Sequence, residues 1–412
     1  MSESTRSFEH KEEEQRLKQE KKQEKKEERK REREALNQRR KIQGEAAELL
    51  SESLGRKKSE WYMNPYYLTF GGLILLLVYV AVMMFLNKKP PLNKVPVIDD
   101  EKINDHNLVS QWKQAATSFW ESATLLDAKK LMMNSFASHT NINRCLEDET
   151  AVIPDSFDAR NEWPNCKLKV QDQKLHCSAS YAVVVASAFS ERTCIHKEGG
   201  VLKQLSAQEI ISCDTSNRGC RGGYLNNALE YVTKIGLSSE QCMPYKGSDS
   251  VKCSDMCSEI TKDKSEGFCV AFGEEDIKKE IMKNGPVIAT MEVYTDFLTY
   301  SKGVYYKGED VPKFSGMHSV KVIGWGVESG SDDEPNAGSK YWIIENSWGE
   351  DWGMNGYAKV SAGQNLLFEQ YAYSVVTHEQ ALKMKKEMEE KKKGGESKNI
   401  PDMDLDDEQN NK

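Results

Sequence analysis

The sequence predicts an α+β domain set behind a single membrane-spanning helix, and three observations carry that prediction. Globular composition is confined to about residues 150 to 376, where helix signals come first and strand signals afterwards. Residues 68 to 86 form an apolar run without a charge. All ten cysteines lie between Cys145 and Cys269, on one side of that run. The chain of 412 residues has a net charge of −8, but residues 1 to 60 hold 18 Lys and Arg, 15 Asp and Glu, and no cysteine. The balance moves from +3 there to −11 in the remainder, which argues against nucleic acid as a partner.

In chain order, residues 9 to 42 are almost devoid of apolar side chains, and Glu recurs three and four positions from Lys or Arg. This predicts a solvated single cytosolic helix with no core to join, whose cytosolic partner is unknown. The run LTFGGLILLLVYVAVMMFL follows; its 19 residues, at about 1.5 Å each, match a hydrocarbon core of roughly 30 Å. Residues 64 to 87 therefore read as a helix spanning a lipid bilayer. Trp61, Tyr62, Tyr66 and Tyr67 flank one end and Lys88 and Lys89 the other, as interfacial anchors do. Flanking charge is nearly balanced, so the one-sided cysteines orient the span: they belong in an oxidising lumen or exterior, with the N-terminus in the cytosol. Residues 88 to 101 read as a Pro-containing linker, and residues 377 to 412 as a charged, disordered tail.

Within the globular part, Ser206 and Glu209 form the pattern of a capping box, with Leu205 and Ile210 as its hydrophobic staple. A second helix, EEDIKKEIMK, is stopped by Asn284, Gly285 and Pro286. VIATMEV, HSVKVIGW and YWIIE read as strands.

Seven segments occur in a recognisable order: IPDSFDARNEWPNC (153 to 166), VQDQKLHCSASYAVVVASAFSERTCI (170 to 195), LSAQEIISC (205 to 213), GCRGGY (219 to 224), NGPV (284 to 287), HSVKVIGWG (318 to 326) and ENSWGEDWGMNGY (345 to 357). Over about 220 residues this set resembles the papain family of cysteine proteases, and within it the cathepsin B branch. The resemblance implies a papain-like fold of two subdomains, one helical and one a β-barrel, with the catalytic cleft between them. It implies His318 as general acid/base, Asn346 as its orienting amide, Trp348 as the indole shielding that pair, and Gln173 as a side-chain oxyanion donor. Gly222 and Gly223 match the glycines whose backbone pairs with an extended substrate. No cofactor and no metal are expected. Such chemistry needs a thiolate at a helix N-terminus, where the dipole lowers its pKa, beside an imidazolium.

The nucleophile position departs from the family. Alignment from the end of SYAVVVASAFSER places Ser180 there, and an ungapped alignment from Gln173 places Ala179; neither supplies a thiol. Cys177 falls where the family has a disulfide cysteine. Tyr181 replaces a tryptophan, Lys174 and Ser178 replace glycines, and Met317 stands where the cathepsin B branch has glycine. A hydroxyl does not ionise beside one histidine, and the third member here is an amide rather than the carboxylate of serine hydrolases. Two functions follow: a catalytically impaired domain that binds a peptide or protein segment or acts as a scaffold, or an endopeptidase using Ser180 and His318.

The resemblance also implies the pairs Cys166 with Cys194, Cys177 with Cys220, Cys213 with Cys253, and Cys242 with Cys257. Cys145 and Cys269 are left either paired with each other or free. Residues 102 to 150, including LVSQWKQAATSFWESA, resemble the short propeptide that lies reversed along the cleft, so the cleft partner is a polypeptide substrate or that segment. KGSDSVK (246 to 252) has no histidine and is too short to be the occluding loop of cathepsin B.

Overall fold

The computed structural model describes residues 73, 76–79, 90–134, 143–145, 150–255, 257, 261–329, 338–364 and 366–393. The charged helix expected over residues 9 to 42 and most of the apolar run lie outside the described residues. Leu73 and the residues 76–79 are helical and exposed, and among the described residues no helix is long and apolar enough to cross a membrane. The chain divides into two compact units, Met1–Lys89 and Pro90–Lys412.

The second unit opens with helix α1 (Asp100–Val109), whose N-terminal amide of Lys102 is capped by the Asp99 carboxylate. Strand β1 (Lys113–Gln114) follows, then α2 (Leu125–Leu131), which starts in a complete capping box between Thr124 and Asp127. The stretch expected as a linker is built into this layer: Val97 is buried, and its N–H donates to the Ala123 carbonyl. Val97 and Ile98 on the core, with a bridge from Pro96 to Thr124, dock a segment whose composition alone reads as free.

Strand β2 (Phe157–Asp158) and the single turn α3 (Ala159–Glu162) lead to the central helix α4 (Ser180–His196). It is buried on nearly every face, apolar in its first half and carrying the buried Glu191 and Arg192 in its second. Helices α5 (Ala207–Cys213) and α6 (Leu225–Lys234) pack on it, and Leu205 and Ile210 share that core. The capping box expected at Ser206 is half formed. Ser206 Oγ accepts from the Glu209 N–H, but the buried Glu209 carboxylate turns to the Ser238 N–H and hydroxyl and to Lys262.

Strands then dominate: β3 (Gly267–Phe272), helix α7 (Gly273–Asn284), β4 (Val287–Tyr294), β5 (Tyr300–Lys302), β6 (Val304–Tyr305), β7 (Lys313–Val327), β8 (Lys340–Glu345), β9 (Tyr357–Ser361) and β10 (Tyr371–Val376). α7 stops at Gly285, whose φ of 97° favours glycine. The main sheet runs β3-β10-β4-β7-β8-β9-β6, with β2 added on β7. β7 is its longest strand, pairing with β4 on one side and β8 on the other. A second small pair joins β1 to β5 and so fastens the first layer to the body. Beyond β10, residues expected as disordered form α8 (His378–Lys393). Its Ala381 is buried, and its Gln380 accepts a hydrogen bond from Arg192.

Two buried charge networks fix α4 against the sheet. Arg192 donates to Glu280 on α7 at 2.8 Å and to the Val375 carbonyl on β10 at 2.8 Å. Lys321 on β7 lies 2.6 Å from Glu191 on α4 and 3.0 Å from Glu345 on β8. Burial works against the Lys321 charge, and the two carboxylates more than offset it, so its pKa is raised. The same network joins the helix that carries Ser180 to the two strands that carry His318 and lead into Asn346.

The cysteines pair as Cys145 with Cys269, Cys166 with Cys194, Cys177 with Cys220, Cys213 with Cys253, and Cys242 with Cys257. The first is the pair that the sequence left open.

Candidate active-site cleft

The loop before α4 is pinned by the Cys177 disulfide to Cys220 and by the Ser178 N–H, which donates to the Cys220 carbonyl at 2.9 Å. Ala179 takes the N-cap position, and Ser180 begins the helix. Ser180, not Ala179, therefore carries a side-chain oxygen toward β7. All ten cysteines are bonded in disulfides, so no thiol stands at this helix N-terminus or anywhere else in the chain.

Across the cleft, His318 Nε2 lies 2.8 Å from Asn346 Oδ1, and the Trp348 ring lies 4.8 Å from the imidazole. His318 is completely buried; burial lowers its pKa to about 4, against the opposing pull of the Asn346 bond. The ring is thus neutral at pH 7, with Nε2 protonated toward Asn346 and Nδ1 left as a bare acceptor. Nδ1 has no hydrogen-bond partner among the described residues. Ser180 Oγ does not supply one. It accepts instead from Asn134 Nδ2 at 2.7 Å and from the Ser319 N–H at 3.1 Å.

Gln173 is buried beside this pair. Its Oε1 accepts from the Ser347 hydroxyl at 2.6 Å, and its Nε2 donates to the Cys177 carbonyl at 2.9 Å. One of the two N–H bonds expected for an oxyanion is therefore engaged by the loop. Lys174, next along, holds a φ of 72°, the left-handed region that favours glycine and costs an L side chain roughly 1–2 kcal/mol. Asp172 keeps it there, accepting from the Lys174 N–H at 2.8 Å and from its ammonium at 2.9 Å.

The cleft is filled by the chain itself. After α2, residues Leu131 to Asn134 run between the two walls. Ser178 Oγ donates to the Leu131 carbonyl at 2.8 Å. Asn134 and Met317 exchange main-chain hydrogen bonds of 3.3 and 3.2 Å, so the segment adds a bridge to β7. Two glycines permit this approach: a Cβ on Gly316 would overlap the Met132 carbonyl, and one on Gly222, whose φ is 90°, would overlap the Met133 carbonyl. Gly223 is also held to glycine by what surrounds it. A Cβ there would press on Asn217 and the Tyr181 ring, so its smallness serves packing behind the cleft wall.

Further upstream, aromatic side chains seal the rest. Trp112 packs against Tyr305 at 4.9 Å, and Phe119 and Trp120 lie 5.9 and 5.0 Å from Trp348. Trp348 is buried beneath them and lines no open surface. A cavity of about 430 Å³ remains beside the filled cleft, between α2 and the Leu175, His176 and Arg221 loops.

Sequence reasoning brought His318, Asn346, Gln173, Trp348, Gly222 and Ser180 to one place. It missed Asn134, Ser319 and Ser347. Ser319 and Ser347 directly follow His318 and Asn346, a proximity that was available as a signal; nothing local marks Asn134. The group of metal-type ligands closest together among the described residues is Cys145, Cys269 and Glu280, within 4.8 Å, but its two sulfurs are bonded to one another.

A profile described as papain family cysteine protease matches residues 153–380. The chain belongs to the papain family of cysteine proteases. It is 32% identical over 276 residues to a cathepsin B-like cysteine proteinase 1 of Ostertagia ostertagi, covering 58% of this chain and 78% of that protein. To a gut-specific cysteine proteinase of Caenorhabditis elegans it is 34% identical over 266 residues, covering 57% and 78%. Among solved structures, procathepsin B S9 from Trypanosoma congolense superposes with a TM-score of 0.62 at 30% identity, covering 69% of this chain and 99% of that one. The papain-like α+β fold follows from these likenesses. His318 and Asn346 lie 2.8 Å apart, and the chain has no free cysteine.

Proposed function

We propose that this papain-family chain has no peptidase turnover and serves as a membrane-tethered binding or scaffold domain whose cleft is closed by its own residues 131 to 134. One observation carries the reading: Ser180, at the nucleophile position, is hydrogen-bonded by Asn134 and Ser319 rather than by His318. A hydroxyl becomes a nucleophile when a base takes its proton, and the base here has its own acceptor unengaged and lies buried under the segment. Residues 102 to 150 act as a retained pro-segment, and Ser178, standing where the family has glycine, adds a bond to it rather than opening a path for substrate. The absence of any free thiol supports the same reading, since the family's chemistry depends on a thiolate.

A second reading, endopeptidase action by Ser180 with His318, draws on one feature: the 2.8 Å contact between His318 and Asn346 is intact. The purified chain, assayed against peptide libraries beside its Ser180→Ala and Ser180→Cys forms, separates the two. We expect the parent to match Ser180→Ala; turnover in the parent that disappears in Ser180→Ala establishes the second reading.

The membrane tether is residues 64 to 87, with the N-terminal charged region in the cytosol, where its partner is a cytosolic protein, and the papain-like domain in an oxidising lumen or exterior. The uncharged run and five disulfides on one side of it support this arrangement. Alkaline carbonate extraction and protease protection of sealed membranes test it: the chain stays with the membrane and the papain-like domain is protected. Release by carbonate or digestion from the cytosolic side would overturn it.

A further inference from the structure

Residues 143 to 145 pair with β3, which ends the main sheet. The Val270 N–H donates to the Asn143 carbonyl and the Cys145 N–H to the Val270 carbonyl, each at 2.9 Å, so this stretch covers the outer edge of β3. Arg144 reaches Asp276 at 2.6 Å, and Cys145 is bonded to Cys269. The match to the papain family begins at residue 153. Just before that point the chain is open to attack at residues 150 to 152, where Thr150 is exposed and Val152 is 86% exposed.

We propose that the Cys145–Cys269 disulfide makes the preceding segment a permanent part of the domain. A peptide-bond cut within residues 150 to 152 then yields a two-chain molecule whose cleft stays filled and whose body stays joined to everything N-terminal of the cut. Cys145 lies upstream of such a cut and Cys269 downstream, so hydrolysis adds one water across the peptide bond and separates nothing. Tethering keeps residues 131 to 134 at an effective concentration on the order of millimolar beside their site, which holds the segment in place without any further contact. Both cysteines are only 7% exposed, which shields the bond. Opening it takes a dithiol reductant: one thiolate attacks a sulfur to form a mixed disulfide, and the second expels the other cysteine. Two cysteine thiols and an oxidised dithiol result, a transfer of two electrons and two protons. The inference does not depend on whether Ser180 is catalytic.

The test uses the full chain with the recognition sequence of a sequence-specific protease introduced between residues 150 and 152. After cutting, a denaturing gel without reductant should show one species, and dithiothreitol should resolve it into two. Two species without reductant would overturn the proposal. Hydrogen exchange at the Met317 amide reads the cleft: protection should survive the cut, whereas the cut Cys145→Ser/Cys269→Ser chain should exchange roughly tenfold faster or more. Protection lost on cutting the parent would overturn it. Because the altered chains can fail to fold, peptide mapping of the unaltered chain supplies an independent check. It should yield one cross-linked peptide pair containing Cys145 and Cys269, and alkylation of either cysteine without prior reduction would contradict the inference.

Discussion

Asn134 donates its side-chain amide to Ser180 Oγ at 2.7 Å, joining two residues 46 positions apart inside a buried cleft. A family whose cleft is built to receive a passing peptide here holds a piece of its own chain by the residue that begins its central helix. The bond is buried, and the hydroxyl that accepts it is the atom a hydrolase would spend on substrate.

Removing that donor has a calculable effect. Asn134→Ala leaves Ser180 Oγ with the Ser319 N–H alone and opens space in a buried site. We expect a loss of about 1–3 kcal/mol in urea unfolding. The same variant should speed hydrogen exchange at Met317, whose N–H and carbonyl pair with Asn134. A variant as stable as the parent would mean that the segment is held from elsewhere.

The approach of the segment depends on Gly316. In Gly316→Ala the new methyl overlaps the Met132 carbonyl, which is backbone and can move only with the whole segment. Exchange protection of Asn134 and Met317 should fall while that of β9, at residues 357 to 361, stays unchanged. Equal protection in both forms would count against the cleft path described.

The Lys321, Glu191 and Glu345 cluster gives the largest single-site effect. Lys321→Met strands two carboxylates in the interior, which costs about 3–5 kcal/mol for a broken buried pair. Replacing all three with apolar residues of similar volume should recover most of that. If the single and triple variants were equally unstable by denaturant titration, packing rather than charge would account for the loss.

Acid should weaken the fold through its histidines. Burial depresses the pKa of both His318 and His196 to about 4, from an ordinary value of 6.5. Between those values the unfolded chain binds protons that the folded chain refuses. Stability is therefore complete above pH 6.5 and falls as pH drops toward 4, by up to about 1.4 kcal/mol per unit per histidine. Glu191, which burial raises to about 7, and Glu240 and Asp296, which burial also raises, act in the opposite direction, so the histidine part is isolated by difference. His196→Gln, which can still donate to the Asn284 carbonyl, should flatten the pH dependence of unfolding between pH 4.5 and 6.5. An unchanged slope would place the acid sensitivity in other groups.

The order of helices and strands was legible because period and punctuation are local: the stop at Asn284 and Gly285 and the strand run to Trp325 need no tertiary knowledge. His318, Asn346 and Gln173 were legible only through their motif contexts. The docking of residues 90 to 101 and of α8 is not legible from composition, since it rests on a few apolar anchors, Val97 and Ile98 in one and Ala381 and Met384 in the other, inside polar sequence. Glu209 matched a capping box, and its carboxylate found better donors at Ser238 once buried. Asn134 was illegible for a different reason. Its role exists only because α2 delivers residues 131 to 134 between Gly222 and Gly316, a juxtaposition made by the fold and absent from any window of sequence.

The central claim is that Ser180 is a hydrogen-bond acceptor for the chain's own segment and not a nucleophile. A fluorophosphonate probe, which modifies serines activated by a neighbouring base, tests it most directly when applied to the intact chain and followed by peptide mapping. The account predicts no adduct at Ser180. An adduct on Ser180 that is absent from the Ser180→Ala chain would contradict it.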